Sequence, residues 1–267
     1  MSETWGSGPS GSDDASRADD APARDEGPAP AQPSDGGAGG WSTSAGRNLP
    51  APAIVVEPPV GSQRIQHFLD ELASDAPTPG GGAWAAISAA AGAAMIAMVA
   101  RLTMKKKGYE SVAERMETLA HECDDEMFSL LGLADRDAHA YREVMAAYKL
   151  PKTTSEEQHT WSFTLQRALE RAADIPLEVA RRAVYLMGLA EEVLSNGNPN
   201  AASDAYSAAA ALHAAALAAI ANMEINAITF IDKTRQQELA DSASSLRNRA
   251  QSLLREVGDA FVIVLHS

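Results

Sequence analysis

The stretch Ala76-Pro77-Thr78-Pro79-Gly80-Gly81-Gly82-Ala83-Trp84 decides how this chain is read. Its two prolines make a stiff approach that cannot continue a helix. Three glycines follow, permitting backbone angles and close contacts that side chains forbid. The next residues, Ala83–Ala100, carry no charge and are mostly alanine. Alanine is the best helix former and a poor strand former, so the run predicts a buried helix. A glycine loop opening onto a helix start presents free N–H groups, a seat for an anion or a carbonyl oxygen. The same pattern also describes a tight turn between helices with no ligand, and local chemistry leaves both open.

A second Ala-rich run, Ala205–Asn222, contains His213. Two such runs predict two central helices packed on each other, where small residues let backbones approach. Ala83–Ala100 is long enough to raise the question of a membrane span. Its weakly inserting Ala and Gly content, and its start at a Gly-rich loop, favour a core helix instead. Of the 267 residues 45% are hydrophobic but only 5% aromatic, a balance that again favours closely packed helices over sheets. The formal charge of −14 argues against a nucleic-acid backbone as partner, which needs a basic face. Cys123 is the single cysteine, so no intramolecular disulfide can form, which fits a reducing compartment. The polar, acidic N-terminus has no basic and apolar leader. A cytoplasmic protein is expected.

Taken in order, residues 1–60 read as a disordered acidic tail rich in Pro, Gly and Ser, with nine acidic residues against Arg17, Arg24 and Arg47. Within it, Ala53-Ile54-Val55-Val56 is a short apolar island. Residues 61–267 form the folded region. Ser62 is a candidate cap for a first helix to about Ser74, with Ile65, Phe68, Leu69 and Leu72 on one face. A second helix runs from about Ala83 to Met104 and stops at Lys105-Lys106-Lys107-Gly108. A third covers roughly Glu110 to Tyr148, its inward positions Met116, Leu119, Cys123, Met127, Leu130 and Ala134 stepping by three and four. A fourth starts near Thr154 or Ser155 and reaches about Ser195, with Pro176 expected to kink or break it. Asn198-Pro199 opens a fifth, to about Ile231. A sixth spans about Lys233 to Val257, and Ala260–Leu265 reads either as a strand or as its extension. The fold class is all-α, a bundle of long helices with the two Ala-rich ones central. Long helices with exposed apolar stripes also predict a homodimer.

Few residues stand out as chemistry. Asp204 falls in the first turns of the fifth helix, where the helix dipole favours a carboxylate. Asn222 lies five full turns later on the same face, roughly 27 Å away along a straight helix, and Asn226 follows one turn on. Asp204 and Asn222 therefore serve two ends of a groove, or sites assembled from two subunits. In the third helix Asp137 and Tyr141 are one turn apart, a possible acid/base pair, beside Asp135 and His139. A solvated face explains those spacings as well. His121, Cys123, Asp124 and Asp125 resemble metal ligands only superficially, because the first two do not share a helix face. No metal is expected. Lys105–Lys107 are a helix-end cap or a seat for a carboxylate-bearing ligand.

Read together, six motifs in order resemble one family. They are Phe68-Leu69 with Pro77-Thr78-Pro79-Gly80-Gly81-Gly82; Leu102-Thr103 with Lys106-Lys107 and Tyr109; Asp137 with Ala147-Tyr148-Lys149-Leu150-Pro151-Lys152; Pro176-Leu177-Glu178-Val179-Ala180; Gly197-Asn198-Pro199-Asn200 with Ser203-Asp204; and Asn222 with Ile225-Asn226. The chain resembles the cyclodeaminase/cyclohydrolase family from about Arg64 to Val257. This is the domain found at the C-terminus of formiminotransferase-cyclodeaminase and as stand-alone methenyltetrahydrofolate cyclohydrolase. The resemblance implies an all-helical, dimeric, folate-binding fold with a tetrahydrofolate derivative as substrate and no permanently bound cofactor. It implies hydrolysis of 5,10-methenyltetrahydrofolate to the 10-formyl compound, or cyclisation of 5-formiminotetrahydrofolate with release of ammonia. On this matching Asp137 and Asp204 are the acid/base or cation-stabilising groups. Gly80, Gly81 and Gly82 let the ligand approach the backbone, Asn200, Asn222 and Asn226 orient polar edges, and Lys106 or Lys107 meets the glutamate tail.

Residues 1–60 are too short for a formiminotransferase domain, which tilts the expectation toward the cyclohydrolase. Trp84, Tyr206, Ser207, Arg101 and Glu224 depart from the family's usual residues. If Trp84 and Tyr206 filled the pocket, or Glu224 repelled an anionic tail, the alternative would be a non-catalytic helical dimer on the same scaffold, binding another small molecule or a protein.

Overall fold

The computed structural model describes residues 59–266, and all of the described regular structure is helical. Six α-helices run in chain order: α1 Ile65–Leu72, α2 Gly81–Met104, α3 Ala113–Tyr148, α4 Ser155–Asn196, α5 Ala202–Ala227 and α6 Lys233–Leu265. Short 3-10 turns at Val60–Ser62, Glu110–Val112 and Pro199–Ala201 precede α1, α3 and α5. The predicted tail, with its apolar island, lies outside the described residues apart from its last two positions.

α2 packs on α3 and α5, and α5 packs in turn on α4 and α6. The reason for the alanine content is visible where α2 meets α5. A Cβ on Gly92 would sit 2.5 Å from Leu212 Cγ, so the leucine fills a hollow that any larger residue would close. Ala83, Ala86, Ala89, Ala93 and Ala97 of α2 are fully buried or nearly so, as are Ala205, Ala208, Ala209, Ala216 and Ala219 of α5. Both helices are long and apolar enough to cross a membrane by length and composition, and here both contribute to the core. Burial also pushes the Cys123 thiol up to about 12, leaving it protonated and inert.

Local signals set the helix ends. Thr154 accepts the Glu157 N–H while the Glu157 carboxylate accepts the Thr154 N–H, a capping box at the start of α4. Asp232 caps α6 through the N–H groups of Thr234 and Arg235. Gly108, with φ +92°, turns the chain after the lysine run that ends α2.

Two expectations are corrected, and one left open is decided. Of the kink or break expected at Pro176 the break does not occur: α4 continues as one helix with the proline buried, and tertiary packing offsets the lost hydrogen bond. α1 starts after Arg64 rather than Ser62, whose hydroxyl instead donates to the Pro59 carbonyl. It buries only Phe68, leaving Ile65 78% exposed, because one short helix on the surface finds no second wall. Ala260–Leu265 extends α6 as helix.

Candidate active site

The glycine run begins α2, and its N-terminal N–H groups need acceptors. Gly80, the N-cap residue, supplies no side-chain oxygen. The acceptor comes from α3: the Asp137 carboxylate takes the Ala83 N–H. Burial pushes the Asp137 carboxyl above its ordinary value, and that hydrogen bond only partly opposes the shift.

The glycines fit this geometry by close approach. A Cβ on Gly82 would lie 2.1 Å from Asp137 Oδ1, and one on Gly81 would lie 2.9 Å from the Asn222 amide nitrogen. Gly80 is under no such pressure, since its nearest neighbour would be the Pro77 carbonyl oxygen at 3.6 Å. The glycines therefore allow an acidic and an amide side chain from two other helices to press against the start of α2.

Around this point lies a pocket of about 320 Å³ lined by Pro77, Thr78, the glycines, Asp137, Asn222 and Asn226. Its other wall is Tyr141, Val144, Met145 and Tyr148 of α3 with Leu169, Ala172 and Ile225. Asn222 donates to the Ala218 carbonyl at 2.8 Å, and Asn226 reaches across to the Ala172 carbonyl of α4, also at 2.8 Å. Each amide is fixed through its nitrogen.

Six of the ten candidate residues thus converge: Gly80, Gly81, Gly82, Asp137, Asn222 and Asn226. The other four do not join them. Lys106, Asn200 and Asp204 lie at the opposite end of the bundle, where α2 ends and α5 begins. There the Lys106 ammonium donates to Asn198 Oδ1 at 2.7 Å, and the Asn198 N–H donates to the buried Thr103 hydroxyl at 2.9 Å. Asn198 also accepts the Asn200 N–H, so this end is tied into a cap for α5. Lys107 is exposed just past the end of α2. Tyr141 lines the pocket beside Asp137, as its spacing suggested. Met145, Val144 and Leu169 carry no polar signal, and only the pocket reveals them.

The unusual residues stay out of the pocket. Trp84 is 45% exposed on the outer face of α2. Tyr206 stacks on Phe261 of α6 with ring centroids 5.0 Å apart. Glu224 is held by Arg247 at 2.9 Å, and Arg101 pairs with Asp124. A second hollow, about 260 Å³ between α3 and α4, is lined by Arg136, His139, Glu143, Arg171 and Asp174. Its charges are mutually neutralised, Arg171 on Glu143 at 2.9 Å and Asp174 on Arg235 at 2.7 Å, so it offers little to a ligand. Among the described residues no group of three His, Cys, Asp or Glu side chains is arranged to hold a metal ion.

The family model for formiminotransferase-cyclodeaminase matches residues 64–245. The chain belongs to this family. A methenyltetrahydrofolate cyclohydrolase from Methylorubrum extorquens is 38% identical over 193 residues, covering 72% of this chain and 93% of that protein. The formimidoyltransferase-cyclodeaminase of Rattus norvegicus is 31% identical over 203 residues, covering 76% of this chain but only 36% of that longer protein. In three dimensions the chain is similar to the crystal structure of formiminotetrahydrofolate cyclodeaminase from Thermotoga maritima, with a TM-score of 0.70 at 31% identity. That match covers 77% of this chain and 99% of the other. Family membership and the all-helical fold thus agree with the six sequence motifs.

Proposed function

We propose that this chain is a folate one-carbon enzyme, a methenyltetrahydrofolate cyclohydrolase ahead of a formiminotetrahydrofolate cyclodeaminase. The observation that carries the reading is the Asp137 carboxyl, desolvated and aimed at the start of α2 beside the fixed amide of Asn222. The similarity to a cyclohydrolase along 93% of that protein's length favours water over ammonia chemistry. The cyclodeaminase reading keeps its support from the Thermotoga maritima structure.

The chemistry follows from the charges. The methenyl carbon sits between two nitrogens and carries positive charge, so a carboxylate close by stabilises the bound cation. As water adds to that carbon, Asp137 accepts one of its protons. The tetrahedral carbinol then collapses: the bond from carbon to N5 breaks, N5 takes the proton from Asp137, and the hydroxyl proton leaves to solvent. The products are the 10-formyl compound and one released proton. A group that both accepts and returns a proton works best with its pKa moved toward the operating pH, the direction in which burial moves Asp137. The amides of Asn222 and Asn226 orient the polar edge of the pterin.

In this reading no cofactor stays bound, neither nucleic acid nor membrane takes part, and the enzyme is a cytoplasmic homodimer, with residues 1–60 as a tail outside the catalytic domain. An exposed apolar stripe supports the dimer: Trp84, Ala91, Met98 and Leu102 on α2, with Ala210, Ala214, Ala221 and Ile225 on α5. A two-fold axis through the middle of that face brings the Lys106 and Asp204 end of one copy toward the Gly82 and Asp137 end of the other, giving Asp204, Asn200 and a lysine a place in a shared site.

The test is spectrophotometric. Purified protein is mixed with 5,10-methenyltetrahydrofolate, and loss of the methenyl chromophore is followed against the spontaneous rate. A parallel reaction with 5-formiminotetrahydrofolate watches for its appearance. Loss in the first marks a cyclohydrolase, and gain in the second a cyclodeaminase. A folded protein silent in both, and binding no folate, sinks the proposal in favour of a non-catalytic scaffold.

A further inference from the structure

The pocket has two unlike walls. One is polar, with Asn222, Asn226 and the backbone of the glycine run, and Asp137, one turn before Tyr141 on α3, lies where the two meet. The other is a ridge on α3 made by Tyr141, Met145 and Tyr148, spaced i, i+4 and i+7 and so aligned on one helix face. All three are exposed, at 36%, 38% and 43%. A monomeric helix surface has no structural need for two aromatic rings and a thioether in a row.

The chain has five tyrosines, and their partners separate them. Tyr109 lies under the Lys106 ammonium, 5.3 Å from ring centroid to nitrogen. Tyr185 donates its hydroxyl to Glu122. Tyr206 stacks on Phe261. The two that remain, Tyr141 and Tyr148, make no ring contact or side-chain hydrogen bond with a described residue, and both line this pocket. Aromatic faces left bare beside a polar wall match a ligand that is itself flat, with an apolar face and a hydrogen-bonding edge.

We propose that the Tyr141, Met145 and Tyr148 ridge is the platform on which the flat pyrimidinone ring of the substrate's reduced pterin lies. The ring's polar edge then points across the pocket to Asn222 and Asn226. Its face rests on the tyrosine rings and on the polarisable Met145 sulfur. This rests on the folate reading and assigns the ring subsite within it. The tyrosines act through their faces, without proton transfer, so they contribute to the bound substrate and to the transition state alike. Uniform binding of that kind appears in KM and leaves kcat alone.

The experiment compares Tyr141→Leu, Tyr148→Leu, Tyr141→Phe and Tyr148→Phe with the wild type. Turnover is measured on 5,10-methenyltetrahydrofolate, and binding is measured calorimetrically with 5-formyltetrahydrofolate and with the tail-less 6-methyltetrahydropterin. Each Leu variant should raise KM and Kd about tenfold, the size of one lost ring-stacking contact, with kcat nearly unchanged. Each Phe variant should recover most of the affinity, and circular dichroism should find all four folded. Leu variants that bind as well as wild type overturn the platform. Phe variants that fall as far as Leu also overturn it, because the hydroxyls rather than the faces would then be at work. A wild type that binds the pterin without turning over the methenyl compound sinks the reaction and leaves the platform standing. A wild type that binds neither probe overturns both.

Discussion

Gly82→Ala is the sharpest test of the site's construction. The added Cβ would lie 2.1 Å from Asp137 Oδ1, 2.5 Å from Cγ and 2.6 Å from Oδ2. A normal contact needs about 3.4 Å, so the whole carboxyl must retreat by roughly 1 Å, since the methyl is fixed to the helix backbone. Two effects compete in stability. Alanine in a helix is worth about 0.5–1 kcal/mol over glycine. Overpacking and disruption of the Ala83 to Asp137 hydrogen bond cost about 1–3 kcal/mol. The net is a modest destabilisation, with Tm lower by a few degrees at roughly 2–4 °C per kcal/mol. Catalysis is far more sensitive, because a misplacement near 1 Å costs on the order of 100-fold in rate. Gly132→Ala on α3 is the control, since a Cβ there meets nothing within 4 Å. Thermal unfolding and kcat/KM on 5,10-methenyltetrahydrofolate are measured for both. The clash also predicts non-additivity: in an Asp137→Ala background, Gly82→Ala should lose its stability penalty. Wild-type kcat/KM in Gly82→Ala would refute the placement of Asp137 at the reacting centre.

Other predictions read the same geometry. Because burial raises the Asp137 pKa in the folded state, ionising it opposes folding; its contribution is most favourable at low pH and is lost as pH rises from the usual carboxylate range through the raised value. Asp137→Asn should therefore be inactive yet more stable than wild type above that window, an advantage that vanishes in acid, as urea titrations at several pH values will measure. Thr103→Val should cost about 1–3 kcal/mol in chemical denaturation, because it strands the Asn198 N–H that Thr103 now accepts at 2.9 Å. Glu224→Gln should leave KM for the folate nearly unchanged, since Arg247 already neutralises this carboxylate away from the pocket; a tenfold fall in KM would mean that Glu224 repels the substrate after all.

Much of the helical layout was legible because its boundaries are chemical. Thr154 with Glu157, Asn198-Pro199, the lysine run before Gly108 and the uncharged alanine stretches each announce an end or a core helix without tertiary information. Pro176 misled as a break because its effect is tertiary: in an isolated helix it ends the hydrogen-bond ladder, but α4 is 42 residues long and packed into the core from Leu165 to Leu194. Ile65 and Leu69 misled in the opposite sense. Their spacing states which residues share a face, not whether another element covers it, and no described element covers α1 there.

The candidate site was legible as a set of residues but not as a partition. Gly82 and Asp137 belong to different helices, and no periodicity relates them; only the close approach of one Cβ position to one carboxyl does. The partition follows from a single topological fact. α2 and α5 run antiparallel, so the N-terminus of α2 shares an end of the bundle with the C-terminus of α5. Gly80, Gly81 and Gly82 therefore meet Asn222 and Asn226, whereas Lys106, after the last turn of α2, meets Asn198, which also holds the Asn200 N–H, before the first full turn of α5. The 27 Å implied by Asp204 and Asn222 on one straight helix already required two ends. Adding the direction of α2 would have sorted each candidate to its own end. In the proposed homodimer the two ends meet across the outer face of α2 and α5. Mixing an Asp137→Asn variant with an Asp204→Asn variant tests it, because only a site shared between copies can regain activity from two dead partners.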